Sequence, residues 1–311
     1  MAYDLKGKLV IGIASSALFD LTEENEIFEK QGLDAYRKYQ KSNKKTPFKT
    51  GVAFPFVKRL LSLNERFEER PIEVILLSRN DPDTGIRIFN SIEHNKLDIS
   101  RAGFLNGRSP YKYIPAFNIN LFLSANADDV KKAINQGYPA GLILHDFIQD
   151  DPDDFELRIA FDFDGVIVDD EAETEYAKNS NLEDFQKHEI EKADIPLKDG
   201  PIAEFIKKLS NFQRLEIIRE KKEKEYKRIL RIAIVTARNA PAHERCINTL
   251  EKRDIIPDET FFLGGINKKY VLQILKPHLF LDDQKNHLDL KDLNIPCIHI
   301  PYGIRNKDIK G

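Results

Sequence analysis

Apolar runs that each end in a polar group, separated by helical stretches, restrict this chain to a parallel α/β architecture. Arg158-Ile159-Ala160-Phe161 runs into Asp162-Phe163-Asp164-Gly165, Arg231-Ile232-Ala233-Ile234-Val235 ends at Thr236, and His278-Leu279-Phe280-Leu281 ends at Asp282-Asp283. Further strands are expected at 260–263 and 296–300. Helices are expected from about 171 to 193, from Ile202 to about Lys227, from Pro241 to Arg253 and from Tyr270 to Leu275. Such alternation places helices on both faces of a parallel sheet. The carboxyl ends of parallel strands open onto the ligand crevice, so these runs deliver Asp162, Thr236 and Asp282-Asp283 where a ligand reaches them. Asp162 and Asp164 start on one face of their strand, and Gly165 lets the backbone turn away. Two carboxylates this close repel, and a hard cation with oxygen ligands, such as Mg²⁺, offsets the repulsion. Taken alone, Asp-x-Asp-Gly is equally a common turn at a strand end.

The chain also resembles itself. Leu33 to Tyr39 matches Leu182 to His188 at an offset of 149 residues, which also pairs Pro47 with Pro196, Gly51 with Gly200 and Phe56 to Leu60 with Phe205 to Leu209. Farther along, Ser78 faces Thr236, Phe104 to Gly107 faces Phe262 to Gly265, and Leu121 to Leu123 faces Leu279 to Leu281, all at 158. The added residues fall in the charged run Arg219 to Arg228, read as a solvated helical extension. Two similar α/β units follow, 1–150 and 151–311. At these offsets Ile13 and Ser15 stand for Asp162 and Asp164, Ser78 for Thr236, Pro110 for Lys268, and Ser124-Ala125 for Asp282-Asp283. No hard cation binds such a set, so the first unit is expected to be catalytically silent. The run Leu9 to Phe19, signal-like behind Lys6 and Lys8, is then its first core strand. Residues 169–199 lie between a catalytic strand and the next helix, the place of a small helical cap. Leu21 to Thr50 is its equivalent.

Composition narrows the partners. With 48 basic and 51 acidic residues the net charge is −3, which provides no general footprint for nucleic acid or an anionic membrane. No run approaches the length that spans a bilayer. Cys246 and Cys297 lack metal-ligand spacing and fit a reducing, cytoplasmic setting as core residues.

The order Asp-x-Asp, Thr, Lys, Asp-Asp resembles the haloacid dehalogenase superfamily of phosphohydrolases. Ala14 to Asp20, Leu77 to Asn80 with Asp83-Thr84-Gly85, Asn120 to Ala125, Val235 to Arg238 and Pro277 to Gln284 resemble the cytosolic type I 5'-nucleotidases over nearly the whole chain. The resemblance implies two Rossmann-like, haloacid dehalogenase-like units, the second active, and a Mg²⁺-dependent hydrolase of nucleoside 5'-monophosphates. It implies Asp162 as nucleophile and Asp164 as general acid, then base. Thr236, with Ala237 and Arg238, would meet the phosphate, and Lys268 would neutralise it and orient Asp162. Asp162, the Asp164 carbonyl and Asp283, supported by Asp282, would hold the metal. Which of Asp282 and Asp283 ligates directly stays open, as does Lys269 in place of Lys268. A sugar-phosphate phosphatase and a nucleotide-sensing module without turnover are the other readings; a nucleotide effector in the first unit and oligomerisation are left open.

Other residues take plainer readings. An arginine at 238 more often caps or pairs on the surface than touches phosphate. His188, His243, His278, His287 and His299 lack metal-ligand spacing and read as structural or surface histidines. Tyr176, Phe185 and Tyr302 read as core aromatics, and Gly264-Gly265 as a turn as readily as a phosphate loop.

Overall fold

The computed structural model describes residues 3–144, 148–179 and 181–306. The chain forms two compact units, Met1–Asp150 and Asp151–Gly311.

In the first unit the elements run β1 (Leu9–Ile13), α1 (Ser15–Leu18), α2 (Thr22–Ser42), α3 (Phe54–Ser62), β2 (Ile72–Ser78), α4 (Pro82–His94), β3 (Arg101–Phe104), β4 (Leu121–Ser124), α5 (Ala127–Asn135) and β5 (Ala140–Ile143). The sheet order is β3-β2-β1-β4-β5, with parallel pairings. The central strand Leu9-Val10-Ile11-Gly12-Ile13 is buried throughout, as a parallel strand covered on both faces requires.

The second unit contains β6 (Leu157–Phe161), α6 (Glu171–Asn179), α7 (Leu182–Glu191), α8 (Ala203–Lys222), β7 (Leu230–Thr236), α9 (His243–Glu251), β8 (Glu259–Phe262), α10 (Lys269–Leu275), β9 (Leu279–Asp282) and β10 (Cys297–His299). Its order is β8-β7-β6-β9-β10, again parallel. Counted within the unit, this is the order of the first. The strand order reverses beside β6, and that switch point is where an open α/β sheet forms its ligand crevice.

The units also repeat individual hydrogen bonds. Arg87 Nε donates to Thr46 O at 2.8 Å and Arg245 Nε to Ile195 O at 2.9 Å. Asn90 and Asn248 donate to Lys44 O and Ala193 O, and the hydroxyls of Ser91 and Thr249 accept from the backbones of Phe48 and Leu197.

Strand register corrects one alignment. Ile13 pairs with Leu76 and Phe161 with Ile234, so the first strands match at 148 rather than 149 residues. Asp162 therefore corresponds to Ala14, not Ile13. The offset reaches 149 at the antiparallel bridges Phe19–Thr50 and Val168–Asp199. Between these points the second unit has one residue more, Asp164-Gly165 where the first has Ser16.

The expected helical extension is also corrected. Helix α8 stops at Lys222 because buried Glu216 draws the following chain back. Its carboxylate accepts the N–H groups of Ile229 and Leu230 at 3.2 and 2.9 Å and the Tyr226 hydroxyl at 2.7 Å. The helix expected over 171–193 is two, α6 and α7, with Asn181 capping the second through the Glu183 N–H. Among the described residues no helix is long and apolar enough to cross a membrane.

Candidate active site

Loops at the carboxyl ends of β6, β7, β8 and β9 bring the candidate reactive groups of the second unit together. Asp162 follows the last residue of β6 and is buried. Its Oδ1 accepts the Phe163 N–H at 2.7 Å and the Lys268 ammonium at 2.8 Å. Lys268 also reaches Asp282 Oδ2 at 2.7 Å, so one buried cation serves two carboxylates. Lys269 turns away to exposed Asp292, at 2.6 Å. Of the two lysines, Lys268 is the one placed among these carboxylates.

Asp282 and Asp283 are adjacent but differently placed. Asp282 accepts from Lys268 and from the Gln284 N–H, with His287 Nδ1 at 3.1 Å. Burial would raise its carboxyl, but Lys268 and His287 hold it below the ordinary carboxylate range. Both oxygens of Asp283 are buried, without a hydrogen-bond partner among the described residues. Burial, then Glu173, Asp162 and Asp282, push its carboxyl up to about 10. Burial likewise pushes Asp162 to about 7 despite Lys268, because Asp282 and Asp164 oppose its charge. A charged carboxylate this poorly compensated is costly, and a cation would offset it. Asp162, Asp282 and His287 bring ligand atoms within 4.8 Å of one another, with Lys268 shared between the two carboxylates of that trio. Asp283 is the group whose chemistry fits a hard cation.

Asp164 stands beside the like charges of Asp162 and Glu173, as expected, but a cation faces it as well. Arg238 clasps it with two bonds of 2.7 Å, from Nε and Nη2. Arg238 is fully buried rather than on the surface; its Nη1 donates to Glu189 and to Ala242 O. Most of its donors thus face protein acceptors. Thr236 ends β7 with its hydroxyl accepting the Arg238 N–H at 3.2 Å, which leaves its own proton to donate.

Beside these groups lies a cavity of about 380 Å³. Glu173 and Tyr176 of α6, Phe185 of α7, Asp164, Ala237 and Gly264-Gly265 are among its lining residues. Tyr176 and Phe185 meet edge to face at 6.1 Å. Gly264 and Gly265 form a turn with positive φ, 55° and 91°. A larger cavity, about 700 Å³, opens beside Arg158 and Arg231 at the amino ends of the strands, and Asp162, Asp164, Asp282 and Asp283 are not among its lining residues.

Several residues of the site carried no sequence signal. Glu173 accepts from Gln284 at 2.8 Å, while its other oxygen is buried with no hydrogen-bond partner among the described residues. Its carboxyl is pushed up to about 7, first by burial and then by Asp164. His287, read as a structural or surface histidine, has its Nδ1 3.1 Å from Asp282. His299 Nε2 lies 3.0 Å from the Asp283 carbonyl, which also accepts from Asn306 at 2.9 Å, so these two hold the Asp283 loop. His278 is structural, its Nδ1 accepting the Arg158 N–H at 3.1 Å.

Gly165 completes the bend at φ 71°, and a Cβ there would lie 2.8 Å from the Asp283 carboxyl carbon. Gly165→Ala is expected to lose about 1–3 kcal/mol of stability, from left-handed strain and displacement of Asp283. Denaturant titration beside the parent chain measures it.

A family model described as 5'-nucleotidase matches residues 1–307. The chain belongs to the 5'-nucleotidase family. Human cytosolic 5'-nucleotidase 1B is a relative at 31% identity over 294 residues, covering 91% of this chain and 47% of that protein. The chain thus spans about half of that relative's length. Among solved structures, histidinol dehydrogenase from Elizabethkingia anophelis aligns over 78% of this chain and 48% of its own at 9% identity, with a TM-score of 0.21, too slight a likeness to bear on fold or chemistry.

Proposed function

We propose that the chain hydrolyses nucleoside 5'-monophosphates to nucleoside and phosphate in its second unit, through a phosphoryl group carried on Asp162. The observation that carries this reading is the pairing of Asp162 Oδ1 with Lys268 at 2.8 Å, beside Asp164 and the buried carboxylate of Asp283, within a 5'-nucleotidase family chain. With Oδ1 held by Lys268 and the Phe163 N–H, Oδ2 is the oxygen that attacks phosphorus as the bond to the ribose oxygen breaks. Asp164 gives the leaving oxygen its proton, then takes one from the water that releases phosphate. Both Asp164 oxygens accept from Arg238 here, so protonation displaces one of those bonds. Thr236 donates to a phosphoryl oxygen, and Lys268 with the backbone at Ala237 balances its charge.

Asp162, Asp283 and the Asp164 carbonyl would hold Mg²⁺, with Asp282 supporting through Lys268. Such an ion neutralises charge on the phosphoryl oxygens. Helices α6 and α7 serve as the cap. The first unit, with Ala14, Ser16, Pro110, Ser124 and Ala125 in the reactive positions, serves as a silent scaffold. Its Arg79 is engaged by Asp129 through bonds of 2.8 and 2.5 Å, which leaves it poorly placed to receive an effector.

A phosphate-release panel of nucleoside monophosphates and sugar phosphates in Mg²⁺ tests the reading. Turnover of the nucleotides well above the sugar phosphates is expected. The reverse order would make the chain a sugar-phosphate phosphatase, and binding without release would make it a sensor.

A further inference from the structure

Arg238 sits between two carboxylates from different parts of the second unit. Asp164, on the catalytic loop, takes Nε and Nη2; Glu189, from α7, takes Nη1. The side chains of Glu189 and Arg238 are 0% and 2% exposed. Glu189 is in turn held by Arg245 at 2.8 Å, and Arg245 reaches Glu171 of α6 at 3.0 Å. A planar guanidinium with three fixed contacts has one orientation, so a carboxylate clasped by its far edge has one as well.

The first unit provides an internal control. Bonds that serve only to pack the chain occur in both units: Arg87 to Thr46 O matches Arg245 to Ile195 O, and Asn90 to Lys44 O matches Asn248 to Ala193 O. The three charges do not occur in both. Where the second unit has Asp164, Arg238 and Glu189, the first has Ser16, Asn80 and Gln40. Gln40 still accepts from Arg87, at 3.2 Å, so a neutral amide satisfies the packing role at this position. The carboxylate of Glu189 accompanies the reactive aspartates, as a part of the chemistry would.

We infer that Glu189 is a positioning residue for proton transfer, fixing Arg238 and through it the carboxylate of Asp164, so that seating of α7 governs how well Asp164 serves the leaving group and the water. This rests on the hydrolase reading above. Without Glu189 the guanidinium keeps its charge but loses its anchor, and Asp164 samples orientations in which it cannot exchange a proton with the reacting oxygen.

The test compares a nucleoside monophosphate, whose alkoxide needs a proton to leave, with p-nitrophenyl phosphate, whose phenolate does not. In Glu189→Gln, kcat on the nucleotide is expected to fall about 10- to 100-fold with KM little changed, a fraction of what general acid–base catalysis contributes. On the aryl ester the same variant should release nitrophenolate as a rapid burst of one per active site, then turn over slowly, because hydrolysis of the phosphoryl-enzyme still needs Asp164. Glu189→Asp, which keeps the charge, should recover part of the nucleotide rate. Arg238→Lys, which keeps the charge but loses the fork, should show the same burst and supplies the test should Glu189→Gln unfold. A folded Glu189→Gln with kcat within about twofold of the parent, or an equal loss on both substrates without a burst, would overturn the inference. A parent chain inactive on both substrates would instead remove the hydrolase reading itself.

Discussion

Asp162→Asn will abolish phosphate release while leaving the fold intact, with kcat down by about 10⁴-fold or more, the scale on which removal of an enzymatic nucleophile is felt. The amide is a poor nucleophile, and its oxygen can still accept the Phe163 N–H and the Lys268 ammonium. Lys268 keeps Asp282 at 2.7 Å, so its charge remains paired. The variant also removes a buried carboxyl that its surroundings push up to about 7, so thermal stability should be unchanged or slightly higher. Melting curves and phosphate release on one preparation separate the two effects: inactivity with a normal melting temperature is expected, and substantial turnover would remove Asp162 from the role of nucleophile.

Chelation should be as severe. Excess chelator is expected to suppress activity about 10³-fold or more, since a bound divalent cation supplies several kcal/mol of charge stabilisation, and added Mg²⁺ should restore it. Full activity in excess chelator would point to a metal-free site. Asp283 gives a second readout independent of turnover. Its two oxygens are buried without a hydrogen-bond partner among the described residues, so the metal-free fold carries a poorly compensated group. Mg²⁺ should raise the melting temperature of the parent by a few degrees, about 2.7 kcal/mol at a hundredfold excess over Kd. Asp283→Asn should raise the metal-free melting temperature and abolish the response to Mg²⁺. A metal-induced rise in Asp283→Asn equal to the parent's would exclude Asp283 as a ligand.

The strands and the residues at their ends were legible because both are local signals. An apolar run bounded by polar residues reports its own burial, and Asp162, Thr236 and Asp282 mark where three runs stop. The pairing of those ends is tertiary, and there the sequence says less. Arg238 looked like a surface residue because its partners lie far along the chain, Glu189 by 49 positions and Asp164 by 74. Glu173 and Glu189 sit in helices rich in acidic residues, where a single inward-facing carboxylate has no distinguishing neighbours. The difference between Asp282 and Asp283 was likewise invisible, since adjacent strand residues point to opposite sides and only the structure shows which side holds Lys268. The one-residue error in aligning the first strands arose because the matching segments lay beyond the Asp164-Gly165 bend. The end of α8 was missed because a charged run continues helical composition, whereas Glu216 ends the helix by satisfying a strand's backbone.

The most direct measurement is to mix the chain with a phosphate-labelled nucleoside monophosphate in Mg²⁺, quench in acid within one turnover, and map any label retained on the protein. The account predicts label on the peptide carrying Asp162 in the parent and none in Asp162→Asn. Rapid product formation with no label on the protein at any quench time, or label on another residue, would contradict it.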